Sequence, residues 1–253
     1  MRNLLRSVRE SSFARPIKRY KLRADVVDRL SHEMRTTLTD IVGYSEYIER
    51  RAIEPMLGFT SKIIRESGFD LVRLLNSFYD VVLLEAGDLN LIFSDVDMME
   101  LIRDVIRAHQ IRASEREVKL ILTRSPDVEF VKINTDSIRF VQMIDAVTFS
   151  AVRFAMPNST VQLHVDFSEK SNFISLNFLE FGAGKVHPDV RLIEKFWNSK
   201  KYDFLQQQGP GIEMALAKAL LLRLGGNSLF RVVPDAGVNF CLSIPIKVGS
   251  TKS

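Results

Sequence analysis

His32, Glu33 and Thr36 are the residues of this 253-residue chain whose types and spacing suit group-transfer chemistry. An imidazole in water titrates near neutrality and is a competent nucleophile. The adjacent carboxylate of Glu33 can take its proton, and the Thr36 hydroxyl, four residues on, falls on the same face of a helix and can orient a water molecule. The trio suits a histidine that is chemically modified. A plain solvated histidine uses the same residues, while a zinc site of the metalloprotease kind needs a second histidine where this chain has Thr36.

The element that carries the trio is legible in the apolar spacing. Leu30, Met34, Thr37, Ile41, Tyr44 and Ile48 alternate in steps of four and three, the seam of a coiled coil or helical bundle. At about 100° per residue His32 lies about 200° from Leu30, on the solvent side. Arg50 to Pro55 reads as a short connection, with Pro55 suited to a first helical turn. A second helix then continues the seam through Ile64, Leu71, Leu75, Phe78 and Val82 until Gly87 stops it. Two antiparallel helices cannot bury two such seams alone, so a homodimeric four-helix bundle is expected.

Composition suits one or two globular domains, with 46% hydrophobic and 26% charged residues. No run approaches the roughly twenty apolar residues of a membrane-spanning helix, and a cytoplasmic location is expected. The single cysteine, Cys241, lies in an apolar stretch and is expected in the core, without disulfide or metal. The net charge of +4 is uneven: residues 1–23 carry eight cations against Glu10 alone, leaving a negative balance on the remainder. Such a lead suits a targeting peptide, an anionic-lipid contact, a nucleic-acid contact or a plain solvated segment. The plain reading is adopted, because Pro16 interrupts a weak apolar stripe, and no nucleic-acid partner is expected. The lead is too short for a sensory domain, so any input is expected through an upstream sensor protein.

Three segments follow: a basic lead over 1–23, a helical hairpin over 24–88 and a mixed domain over 89–253. In the last, the patterns predict helices over 97–109, 137–154 and 211–224. They predict strands over 118–122, 129–133, 161–167, 173–179, 228–233 and 238–246. Helices packed on one face of a mixed sheet make a two-layer α/β sandwich.

Residues 31–45, S-H-E-M-R-T-T-L-T-D-I-V-G-Y-S, resemble the phosphoacceptor motif of dimeric sensor histidine kinases, usually S-H-E-L-R-T-P-L-T-x-I-x-G-Y. Thr37 stands where the family has proline, which implies a straighter helix near His32. The ending Asp80-Val81-Val82-Leu83-Leu84-Glu85-Ala86-Gly87 is similar to the family's second-helix ending, and the element order from residue 89 resembles its Bergerat-type ATP-binding domain. The resemblance implies phosphorylation of His32, with Glu33 as base, Thr36 positioning a hydrolytic water, and a receiver-domain aspartate of a response regulator as partner.

It also implies ATP and magnesium, held by three elements that depart from the family's pattern. Ala146 and Ser150 replace two asparagines, the second of which ligates magnesium. Glu180-Phe181-Gly182-Ala183-Gly184 replaces D-x-G-x-G, whose aspartate pairs with adenine. Gly209-Pro210-Gly211-Ile212-Glu213 replaces G-x-G-x-G, with a carboxylate in the place of the third glycine. A serine hydroxyl is a shorter and weaker donor to a hard cation. A carboxylate at a helix amino terminus would occupy the place of an anion. Ile193 to Trp197 resembles the aromatic segment before the family's lid, and core packing is expected of it. Two readings therefore stand. One is an autokinase that charges His32 from ATP. The other is a pseudokinase without ATP that serves as histidine phosphotransferase, phosphatase or docking module.

Overall fold

The computed structural model describes residues 32, 34–87, 89–128, 132–168, 172–181, 187, 190–198, 212–233 and 237–245. The chain divides into two compact units, Met1–Asn90 and Leu91–Ser253.

The first unit is an antiparallel helical hairpin. Helix α1 covers residues 34–51, with His32 also helical. A three-residue connection leads to α2, Pro55–Ala86, which has proline in its first turn and ends on Gly87 at φ 74°, whose N–H closes back on the carbonyls of Leu83 and Leu84. Leu38, Val42 and Ser45 of α1 are buried together with Ser61, Gly68, Ser77 and Val81 of α2. Arg35 donates to Asn76 Oδ1 from Nε at 3.1 Å and Nη2 at 2.8 Å. Arg65 Nε donates to Glu49 Oε2 at 2.8 Å.

This contact differs from the seam predicted for α1. Within the chain it lies one residue further on, at Arg35, Leu38, Val42, Ser45 and Glu49, about 100° around the helix. The reason is steric: a Cβ on Gly68 would sit 2.6 Å from Val42 Cγ2, so the hairpin closes over small residues that let the backbones approach. The bulky seam does not fit there. Met34, Ile41, Tyr44 and Ile48 are 46%, 42%, 73% and 40% exposed, as are Ile64 and Leu71 of α2 at 44% and 43%. Leu30 lies outside the described residues.

The second unit is the expected sandwich. A five-stranded sheet runs in the order β2 (Lys119–Arg124), β4 (Thr160–Ser168), β5 (Phe173–Phe181), β7 (Gly237–Pro245), β6 (Asn227–Val233). Only β2 and β4 are parallel. Alternate residues Val161, Leu163 and Val165, Ile174, Leu176 and Phe178, and Phe240, Leu242 and Ile244 are buried. The helical layer comprises α3 (Met98–Glu115), α4 (Ser137–Phe154) and α6 (Ile212–Arg223), with α4 packed between the other two. Two elements were not anticipated: β1 (Ser94–Asp97), which pairs antiparallel with β3 (Lys132–Thr135), and α5 (Val190–Asn198). On α5, Trp197 is buried edge-on against Phe240, 4.5 Å between ring centroids, and its Nε1 donates to Ser228 Oγ.

Both ends of α4 are held. Asp136 accepts from Arg139 N at 3.0 Å as N-cap and from Ile92 N at 2.8 Å. Arg116 donates to the carbonyls of Val152 at 3.2 Å and Arg153 at 2.8 Å. Across the sheet, Gly237 adopts φ 115°, and a Cβ there would lie 1.8 Å from the Glu180 carbonyl oxygen. Gly237→Ala is therefore expected to cost at least about 2 kcal/mol of stability, read as a lower urea midpoint; an unchanged midpoint would show that β7 can move away from β5 without loss.

Candidate functional site

The candidate phosphoacceptor is set by α1. His32 is exposed, as the spacing predicts, and Thr36 is exposed beside it. The Thr36 hydroxyl donates to the His32 carbonyl at 3.1 Å, which fixes its rotamer and leaves its oxygen lone pairs facing water. Three residues after His32, the Arg35 fork onto Asn76 ties this turn of α1 to α2. Sequence reasoning passed over Arg35; the available signal was a cation beside an otherwise apolar seam. A depression lined by Thr39, Asp40, Gly43, Tyr44 and Tyr47 runs along the next turns of α1. Glu33 lies outside the described residues.

The second candidate site lies at the carboxyl end of α4. A cavity of about 50 Å³ is lined by Val147, Ser150, Phe178, Glu180, Met214 and Phe240 among others, and among the described residues no lysine or arginine lines it. Ser150 is only 4% exposed. Glu180 ends its strand with Oε1 accepting from the backbone N–H of Met156 at 2.9 Å, so the carboxylate ties β5 to the loop after α4. Burial pushes the Glu180 carboxyl up from its ordinary range; the Met156 N–H, the nearby Ser159 hydroxyl and His187 oppose the shift. Ser159 Oγ lies beside that carboxylate but outside hydrogen-bonding geometry, and with Thr148 Oγ1 it is buried without a partner among the described residues. His187, assigned no role from sequence, stands edge-on to Phe154 with 5.6 Å between ring centroids and close enough to Glu180 to act on its charge.

The remaining predicted residues divide plainly. Glu213 is buried in the first turn of α6, 6% exposed. Gly182, Gly184, Gly209 and Gly211 lie outside the described residues. Among the described residues no group of three or more His, Cys, Asp or Glu side chains is placed to hold a metal ion. His109 and His164 are engaged in packing contacts of their own, His109 Nε2 with Asp145 Oδ1 at 2.7 Å and His164 Nδ1 with Thr123 Oγ1 at 2.9 Å.

The described residues of this site do not fit magnesium triphosphate. Ser150 is buried against an apolar cavity, one Glu180 oxygen is committed to the backbone, and the first turn of α6 already holds a carboxylate. The raised Glu180 carboxyl has a consequence for stability. A raised folded-state pKa contributes stability that is present below the unfolded value and is lost as pH rises through the folded value. Glu180→Gln keeps the acceptor for Met156 N–H and removes the titration. The variant is expected to gain stability relative to wild type as pH rises above the ordinary carboxylate range. Urea titrations at acidic and neutral pH check this, and a pH-independent difference would contradict it.

No protein-family model matches the chain. Curated relatives do. It is 25% identical over 243 residues to the non-motile and phage-resistance protein of Caulobacter vibrioides, covering 92% of this chain and 28% of that one. It is 24% identical over 254 residues to the autoinducer 2 sensor kinase/phosphatase LuxQ of Vibrio parahaemolyticus, covering 96% and 29%. The chain thus spans less than a third of the length of these relatives. Among solved structures, full-length ShkA in complex with AMPPNP matches with TM-score 0.65 at 24% identity, over 89% of this chain and 46% of that one. The histidine kinase ThkA in complex with the response regulator protein TrrA matches with TM-score 0.54 at 20% identity, over 88% and 61%. With a helical hairpin followed by a mixed sandwich, the chain is similar in fold to solved histidine kinase structures, and its sequence is similar to those of sensor kinases.

Proposed function

We propose that this chain is the phosphoryl-carrying core of a two-component phosphorelay, with His32 as the carrier and a receiver-domain aspartate as the partner. The observation that carries the reading is the exposed His32 on the solvent face of α1, with Thr36 hydrogen-bonded one turn away. In the transfer, a His32 ring nitrogen attacks the phosphorus of an aspartyl phosphate. The P–N bond forms, the P–O bond breaks, and the aspartate leaves as carboxylate. Glu33 takes the imidazole proton, and the reverse step returns the phosphoryl group. Thr36 positions a water for hydrolysis of the phosphorylated receiver.

Residues 24–88 are proposed as the dimerisation and phosphoacceptor domain and 89–253 as an ATPase-like domain, with the basic lead before them. The exposed apolar faces of α1 and α2 support a homodimer, in which two hairpins bury Ile41, Tyr44, Ile64 and Leu71 as a four-helix bundle. An upstream sensor protein and a cytoplasmic setting complete the proposal; no helix among the described residues is long and apolar enough to cross a membrane. The poor fit of Ser150 and Glu213 to magnesium triphosphate favours the pseudokinase reading, in which phosphate reaches His32 from a charged receiver and not from ATP.

Purified chain mixed with receiver domains charged by labelled acetyl phosphate should acquire acid-labile, base-stable label that is lost in His32→Ala. Label that persists in that variant would sink the assignment of His32. Thr36→Ala should keep His32 labelling while slowing receiver dephosphorylation by about tenfold or more, timed by loss of label from the receiver. Ile41→Asp should turn a dimer into a monomer in sedimentation equilibrium; a monomeric wild type would contradict the bundle.

A further inference from the structure

The tie between the His32 turn of α1 and helix α2 joins a cation to a neutral group. Arg35 Nε and Nη2 both donate to Asn76 Oδ1, at 3.1 Å and 2.8 Å, so a single amide oxygen accepts two guanidinium N–H groups. A carboxylate in that place would cancel the charge, whereas an amide holds the guanidinium and leaves its charge intact. Arg73 and Asp80, the charged residues within a turn of Asn76 on α2, are of opposite sign. Both Arg35 and Asn76 are half-buried, so the cation is fixed in one geometry and is less screened than on an open surface.

The place of that cation relative to His32 follows from the helix. At about 100° per residue, Arg35 lies about 60° around α1 from His32 on the side that meets α2, and Thr36 lies about 40° away on the other side. Residues three apart on a helix have Cβ atoms about 5–6 Å from each other. A phosphoryl group brings about two negative charges near neutrality. A cation held beside it stabilises the phosphorylated state and gives nothing to the neutral imidazole, so it shifts the exchange equilibrium.

Building on the phosphorelay reading of His32, we propose that Arg35, anchored by Asn76, is the positive charge that stabilises phosphorylated His32 and sets how much phosphate the chain keeps in exchange with its receiver. In that exchange the P–N bond forms at His32 as the P–O bond of the aspartyl phosphate breaks, and the aspartate leaves as carboxylate. Arg35 gains no proton and forms no covalent bond. It is a positioning residue whose contribution is electrostatic.

The test mixes the full chain with a receiver domain charged by labelled acetyl phosphate and reads the ratio of label on His32 to label on the receiver at the early plateau. Asn76→Asp keeps the acceptor oxygen and cancels the charge. The ratio should fall at least about threefold at low salt, and the deficit should shrink in about 1 M salt. Arg35→Lys keeps the charge and loses the two-point tie, and the ratio should stay within about twofold of wild type. Arg35→Gln should fall as far as Asn76→Asp. A purely structural tie has the reverse signature, a harmless Asn76→Asp and a damaging Arg35→Lys, and that pattern overturns the proposal. A deficit in Asn76→Asp that salt leaves unchanged overturns it equally. If Arg35→Gln fails to fold, the other two variants still decide. A wild type that takes no label overturns the phosphorelay reading and this proposal together, whereas normal wild-type label with an undiminished ratio in Asn76→Asp overturns this proposal alone.

Discussion

Burial of α4 on nearly every side is the constraint from which the second unit follows. Phe140, Met143, Ile144, Val147 and Val152 are all almost fully buried, each contributing roughly 1.5–3 kcal/mol of apolar burial. A helix that is apolar nearly all round has no freedom to rotate or slide. Asp136 fixes its start and Arg116 its end, and His109 reaches across from α3 to Asp145 at 2.7 Å. The place of Ser150 is therefore dictated by core packing and owes nothing to any ligand. A change of chemistry at such a position leaves the fold intact, which is how this architecture can keep its shape while its site departs from the family's pattern.

The same separation of duties operates in the hairpin. Its two helices close through Gly68, Ser61 and Ser45 and through the Arg35 and Arg65 hydrogen bonds. That leaves the bulkier apolar arcs of both helices outward and His32 on a third, solvent-facing arc. One arc closes the chain on itself, one leaves bulky apolar side chains exposed, and one carries the exposed His32. An α-helix can serve three partners only because residues one apart lie about 100° apart around its axis.

Comparison of the sequence reading with the structure separates two kinds of information. Helix α4 was read as residues 137–154 and is Ser137–Phe154; the strands Thr160–Ser168 and Phe173–Phe181 lie within two residues of their expected ends. The exposure of His32 and Thr36 was equally legible. Not legible were the pairing of β1 with β3, the helix α5, the arc by which α1 meets α2, the tie between Glu180 and Met156, and the place of His187 beside them.

The division has a physical origin. Apolar periodicity, caps and turn residues act over one or two helical turns or a strand's length, so the sequence by itself determined which elements form and which residues share a face. It therefore determined that His32 would stand opposite an apolar seam. Which face meets which partner depends on residues far apart in the chain, on whether Gly68 lets Val42 approach and on whether a loop amide reaches Glu180. Those fits are between surfaces, and only the tertiary structure decided them. It placed Glu180 at an apolar slot and buried Glu213, whose position at the start of α6 the sequence had already indicated.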